Sequence, residues 1–332
     1  EWAARRIVLS VAYANSVAVV FVDGTRRGEI RFPGGELDLT AVCRPGGTHV
    51  LSLLVIAMPL KGVLLSFSDT NTAREVKGRV ARRGLCGDVF LVSTPTGARI
   101  ADVKVDTSVR RREIAFEVAL PGLAAERKYS IEARITKDGR LVETFSSKAF
   151  TSADLVAGRL AFTNAWKTAT RWDLHTPQNT YEAACSLIEA GGRVCDTHFG
   201  VRFGFREFWI EGRDFFLNGS RIFLSVVPLD NAQVSAALAS YAGARESLER
   251  LKSIGINFVY THNYGCEPGS HLGFQEILRA ADDVGMLVSL SQPHFSHYDW
   301  KTPDADRTNG YAQHAEFYVR AAQNHPAVVA YA

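Results

Sequence analysis

Hydrophobic and polar positions change rhythm once along the chain. Up to Gly219 they form short runs broken by Gly, Pro and Asp. Val17 to Phe32 reads VAVVFVDGTRRGEIRF, which is a strand, an Asp23-Gly24 turn and a second strand. A Pro45-Gly46-Gly47 turn precedes His49 to Pro59, whose apolar run predicts a buried strand. The polar stretch SFSDTNTAREVKGR beyond Leu65 predicts a linker. A second series of strands opens near Asp88, with a Pro95-Thr96-Gly97 turn between two of them. KYSIEARITKDGRLVETFSSKAF alternates apolar and polar residues about an Asp138-Gly139 hairpin turn. Many short strands with little helix predict one or two β-sandwiches.

After Gly219 the period lengthens. RIFLSVVP predicts a buried strand, and ARESLERLKSIG a helix with Ala244, Leu248 and Leu251 on one face and Gly255 as its stop. INFVYTH predicts a second buried strand. FQEILRAADDVG places Phe274, Ile277, Leu278 and Ala281 on one helical face. MLVSLSQP predicts a third strand. AEFYVRAAQNHP places Ala315, Tyr318, Val319 and Ala322 on one face, and AVVAYA predicts a fourth strand. Strand and helix in alternation predict a parallel sheet with helices outside it. Four strands suit a small open sheet or half of a (β/α)8 barrel. A half barrel exposes unpaired edges, so the expectation is a fragment of a longer polypeptide or completion by a partner.

The predicted strands end in polar clusters. In barrels and doubly wound sheets, ligands bind at the C-terminal strand ends. The second strand runs into His262, Asn263 and Tyr264. The third runs into Gln292 and His294, with Trp300 beyond, and the first ends near Asp230. Amides and imidazoles bond hydroxyls, and aromatic faces stack on C–H faces, so these residues are the candidate contacts for a sugar. His294, His297 and Asp299 also have a metal-ligand flavour, but a loop gives them no fixed facing and no third strand adds a carboxylate. No metal or other cofactor is therefore expected. Arg206 and Asn218 are expected to pair with strand-end groups at a domain junction. Asp282 and Asp283 sit at a helix C-terminus, where the dipole disfavours acids, so at least one should have a partner.

Composition narrows the classes. Of 332 residues 46% are hydrophobic and 22% charged, with a net charge of +3, which is ordinary for a globular chain. Basic runs are as short as Arg110-Arg111-Arg112, so no nucleic-acid partner is expected. No apolar run approaches the roughly 20 residues that span a bilayer, so no membrane partner is expected either. The opening EWAARRIVLS reads as folded-domain sequence and not as a signal peptide. Five cysteines with no Cys-x-x-Cys pair leave the compartment undecided. Cys266 has no paired base in the sequence.

The tract FGFREFWIEGRDFFLNGSRIFL (Phe203 to Leu224) resembles the junction between the immunoglobulin-like domain and the barrel of glycoside hydrolase family 2. That family includes β-galactosidases, β-glucuronidases and β-mannosidases. ARESLERLKSIGINFVYTHNY, AADDVGMLV and RAAQNHPAVVAYA resemble its successive barrel segments, in the same order. Upstream, WDLHTPQNTY and VAVVFVDGTRRGEI with LDLT resemble its sandwich motifs. Tyr260 stands where the family has Arg, Ser291-Gln292 where it often has an acid, and SVVPLDNA replaces its Gly-x-Asn-x-His, which marks a divergent branch.

The resemblance implies a multidomain fold: an all-β part, comprising a partial jelly roll (1–76) whose opening segment precedes Glu1 and an immunoglobulin-like β-sandwich (77–207), followed by the first half of a TIM barrel (208–332). It implies a glycosidase cleaving a β-glycosidic bond with retention, acting on a carbohydrate substrate, with both catalytic carboxylates C-terminal to Ala332. The alternative is a carbohydrate-binding or scaffolding protein with a degenerate barrel. A homo-oligomer and completion by the C-terminal half both remain open.

Overall fold

A computed structural model describes residues 2–15, 17–31, 34–57, 84–85, 87–229, 240–261, 274–291 and 311–331. The described residues are mostly β, in seven sheets. The first unit stacks two antiparallel sheets. In one, β1 (Arg5–Val11) lies between β5 (Gly35–Asp38) and β8 (Val89–Pro95). In the other, β3 (Val17–Val22) lies between β4 (Thr25–Arg31) and β6 (Leu51–Ile56). The short strands β2 (Ala14–Asn15) and β7 (Gly84–Leu85) pair beside them. Leu9 and Val11 from one sheet meet Val20, Val22 and Ile30 from the other in a common core. The β3–β4 turn is the expected one: Asp23 and Gly24 both adopt positive φ, 52° and 75°.

Two sequence expectations fail in this unit. The run predicted as a buried strand from His49 to Pro59, described as far as Ala57, forms a strand that is not buried. β6 is an edge strand among the described residues, and Leu51, Leu54 and Ile56 are exposed. The strands on either side of Pro95-Thr96-Gly97 do not pair with each other. β8 pairs along its whole length with β1, from Arg5↔Pro95 to Val11↔Val89.

A second sandwich follows. One sheet has the order β13 (Arg159–Ala165), β10 (Glu113–Ala119), β9 (Asp102–Ser108). The other has β12 (Arg140–Ser146), β11 (Tyr129–Lys137), β14 (Thr180–Glu189) and β15 (Val194–Thr197), with β16 (Val201–Gly204) also on β14. Burial alternates along β10, β11 and β14, as period-2 patterning requires when one face is wet. Ile114, Phe116 and Val118 pack on Ile131, Ala133, Cys185 and Leu187 between the sheets. Asp138 and Gly139 form the β11–β12 turn, again with positive φ.

A small antiparallel sheet of β17 (Phe208–Glu211), β18 (Asp214–Leu217) and β19 (Ser220–Ile222) leads into the third unit. RIFLSVVP is therefore not one buried strand. It splits between β19 and β20 (Val226–Pro228), and Phe223 between them is 84% exposed. β20, β21 (Phe258–Thr261), β22 (Leu287–Leu290) and β23 (Val328–Tyr331) form a parallel sheet in chain order. Helices α1 (Tyr241–Ser253), α2 (Phe274–Val284) and α3 (Tyr311–Ala322) alternate with these strands.

The signals for this unit are local and clear. Ser240 caps α1 by accepting from the Gly243 N–H at 3.2 Å. Gly255 and Gly285 follow α1 and α2 with φ of 88° and 75°. Ala244, Leu248, Ile277, Leu278 and Ala281 are buried as their spacing predicts. On α3, Tyr318 and Ala322 are buried, but Val319 is 41% exposed. The inward face of α3 is completed by Phe317 and Ala321 instead.

Candidate functional site

The C-terminal edge of the parallel sheet is built from adjacent strand ends. Register aligns Pro228 with Tyr260, Thr261 with Leu290, and Leu290 with Tyr331. The Leu229 N–H donates to the Tyr260 carbonyl at 2.8 Å. Thr261 is buried, and its Oγ1 accepts from the Ser291 N–H at 3.0 Å, tying the end of β21 to the residue after β22. A β-branched residue suits the strand, and its hydroxyl satisfies a backbone donor that would otherwise be buried without a partner. Burial pushes the Tyr331 phenol, at the end of β23, above its ordinary range.

The chain leaves the described residues at Leu229, Thr261 and Ser291, three adjacent positions on this one edge. The sequence candidates follow directly: Asp230 after Leu229, His262, Asn263 and Tyr264 after Thr261, and Gln292, His294 and Trp300 after Ser291. All seven lie outside the described residues, as do Cys266, His297 and Asp299. Among the described residues no group of three or more His, Cys, Asp or Glu could hold a metal ion. No helix among them is long and apolar enough to cross a membrane. Cys43, Cys185 and Cys195 are free thiols.

The opposite end of the sheet is a dense polar junction with the second sandwich. The buried carboxylate of Asp282, on α2, bonds His325 Nδ1 at 2.6 Å and accepts from the Ala327 N–H at 3.0 Å. Trp172 Nε1 donates to the Asp282 carbonyl at 2.9 Å. Asn324 bonds the backbone of β9 twice, accepting from the Val105 N–H and donating to the Val103 carbonyl, each at 2.9 Å. Arg206 donates to the carbonyls of Pro326 and Val328 at 2.9 and 2.5 Å. Burial pushes its guanidinium down from the ordinary range, with nearby acids and Tyr331 acting against that shift.

Arg206 therefore pairs with strand-end groups, as the sequence led one to expect. Asn218 instead ties a turn to a loop. Its side chain accepts from the Glu207 N–H at 3.0 Å and donates to the Trp172 carbonyl at 2.9 Å. Both helix-end acids have partners. Asp283 pairs with Arg202 and accepts from the Tyr241 hydroxyl at 2.7 Å. Burial alone would raise the Asp283 carboxyl, but these bonds outweigh it and hold it low.

Sequence reasoning missed the docking roles of Trp172, Asn324, His325 and Asp102. Asp102 accepts from Arg159, Arg320 and Gln323 at 2.6, 3.0 and 2.8 Å, joining β9 to α3. The only available signal was the Gln-Asn-His-Pro cluster before β23, too polar for a strand approach that makes no contacts. In (β/α)8 barrels, residues at this end of the strands serve stability and ligands bind at the other end.

No protein-family model matches the sequence. A beta-glucuronidase of Paenibacillus borealis is 23% identical over 355 aligned residues, covering 99% of this chain and 55% of the relative. The chain thus spans about half the length of the curated relative it matches. A glycosyl hydrolase family 2 member from Bacteroides cellulosilyticus superposes with a TM-score of 0.69 at 19% identity, over 99% of this chain and 42% of that one. A Bacteroides fragilis protein assigned as a beta-galactosidase gives 0.68 at 18%, over 99% and 48%. The chain is similar to glycoside hydrolase family 2 proteins, as a divergent relative of part of their length.

Proposed function

We propose that this chain is the N-terminal part of a glycoside hydrolase that cleaves β-glycosidic bonds with retention. Its parallel sheet is read as the first half of a (β/α)8 barrel, over residues 208–332. Residues 1–76 are read as a partial jelly roll, joined by β8, and 77–207 as an immunoglobulin-like sandwich. The observation that carries the reading is the common departure point of the three polar segments. Asp230, His262 to Tyr264, and Gln292 to Trp300 all follow from one edge of one parallel sheet, the edge at which such sheets bind ligands.

On this reading the residues after Thr261 and Ser291 bond sugar hydroxyls and Trp300 stacks on the ring. They contribute orientation, which converts a slow encounter into a positioned reaction. The chemistry needs two carboxyl groups about 5 Å apart, one to protonate the leaving oxygen and one to attack the anomeric carbon. By the resemblance, the acid follows β23 and the nucleophile lies several strands later. The sequence match to a beta-glucuronidase and the structural match to a protein assigned as a beta-galactosidase support a β-linked glycoside as substrate class.

The test is hydrolysis of aryl β-galactosides, β-glucuronides and β-mannosides by the full-length protein, with the first-formed anomer read by NMR. Turnover with a β-product is expected. Sugar binding without turnover would favour the binding or scaffolding alternative.

A further inference from the structure

β23 is held at its start from two sides, and the second hold has an unusual position. The Ala327 carbonyl accepts from the Val288 N–H at 2.8 Å, so it faces β22. Carbonyls alternate sides along an extended chain, so the next one, on Val328, faces the opposite edge. Arg206 Nη2 meets it there at 2.5 Å, while Nε takes the Pro326 carbonyl at 2.9 Å. The Arg206 N–H donates nothing to the sheet. It goes to Thr107 Oγ1 at 3.1 Å, and the Thr107 hydroxyl donates back to the Arg206 carbonyl at 2.6 Å. The Arg206 backbone is thus anchored to the second sandwich, and its guanidinium holds the carbonyls of Pro326, just before β23, and of Val328, its first residue. On the inner side Asp282 fixes His325 and Ala327.

We infer that Arg206 is a positioning residue: by tying the carbonyls of Pro326 and Val328, at the entry to β23, to the second sandwich, it sets the height of that strand and of the group that follows it. This rests on the glycosidase reading, in which the acid/base carboxyl follows β23. Arg206 touches no substrate. It acts on proton donation by fixing where β23 ends. Lysine keeps the charge but offers a point donor in place of a planar fork, so it cannot hold both carbonyls in the same geometry.

The experiment uses the full-length protein carrying Arg206→Met or Arg206→Lys, with two β-glycosides of the same sugar. One has a dinitrophenyl leaving group, which departs without a proton. The other has a phenyl leaving group, which needs one. In kcat/KM, which reports the first, acid-assisted step alone, a misplaced acid should slow the phenyl glycoside by about tenfold or more while the dinitrophenyl glycoside stays within about twofold. The alkaline limb of the phenyl pH profile should move, and Arg206→Lys should fall between wild type and Arg206→Met. Equal losses on both substrates, or no loss on either, would overturn the assignment. If Arg206→Met does not fold, Arg206→Lys is read on the same two substrates by the same criteria. A wild-type protein inactive on every glycoside would instead remove the glycosidase reading on which this role depends.

Discussion

The hydroxyls of Tyr13 and Tyr318 meet at 3.2 Å although 305 positions separate them. Tyr13 belongs to the first sandwich, yet it lies in the core of the parallel sheet, with its ring 6.4 Å from that of Phe317. The first unit is therefore pinned to α3 through a buried ring. Truncating a buried aromatic costs about 3–5 kcal/mol. Tyr13→Ala should destabilise the chain by about 3 kcal/mol and separate the unfolding of the two units. Urea titration followed by far-UV CD and by tryptophan fluorescence checks this. Coincident curves in wild type should diverge in the variant, and a loss below about 1 kcal/mol would show that the ring carries no coupling.

Gly204 ends β16 where the second sandwich meets the parallel sheet. A Cβ there would stand 2.6 Å from Trp172 Cβ and 2.7 Å from Pro326 Cβ. Both neighbours are themselves fixed, Trp172 by Asp282 and Pro326 by Arg206. Gly204→Ala should cost roughly 1–3 kcal/mol through overpacking. Gly24 is the contrast, since it has φ of 75° but open space around it. Gly24→Ala should cost about 1 kcal/mol, from the backbone alone. Chemical denaturation of the two variants checks the order. A larger loss at Gly24 would mean that the junction yields.

Asp38 predicts an acid limb in stability. The Thr40 hydroxyl and backbone amide, with Arg6 beside them, hold its carboxyl down to about 2. A carboxyl lower in the folded than in the unfolded chain stabilises the fold above the unfolded value. That contribution is lost as pH falls from about 4 through about 2. The pair is largely exposed, so solvent screens it and the effect is small. The gap in stability between wild type and Asp38→Asn should therefore be present at pH 7 and close toward pH 2, at low salt. A gap independent of pH would show that Asp38 matters only through hydrogen bonds that asparagine also makes.

What the sequence made legible was local. The Asp23-Gly24 and Asp138-Gly139 turns were readable because both positions need positive φ, which those residues tolerate. The helices were readable because Leu248, Ile277 and Ala281 repeat at helical spacing and glycines end the first two. The pairing of β8 with β1 was not readable, because it joins residues 78 to 90 positions apart, from Val11↔Val89 to Arg5↔Pro95. The exposure of Leu54 and Ile56 escaped for a similar reason: an apolar run reveals hydrophobicity and says nothing about what lies over it. The junction around Asp282 and Arg206 was half legible. A helix-end acid asks for a partner, but only the fold shows that the partner is His325, 43 positions away. For the candidate site, the sequence supplied the residues and the sheet supplied the edge from which they leave.

His262 carries the sharpest test of that site. It follows Thr261, whose hydroxyl is already committed to Ser291, so the strand end beneath it is fixed. Oriented hydrogen bonds to substrate gain their value from such fixed supports. His262→Ala in the full-length protein should lower kcat/KM on the true substrate by at least about tenfold, an effect equal to about 1.4 kcal/mol of transition-state binding. Thermal stability should change little if the imidazole faces the substrate. A large fall in Tm with unchanged kinetics on the surviving enzyme would make His262 a packing residue and move the substrate contacts to Gln292 and His294.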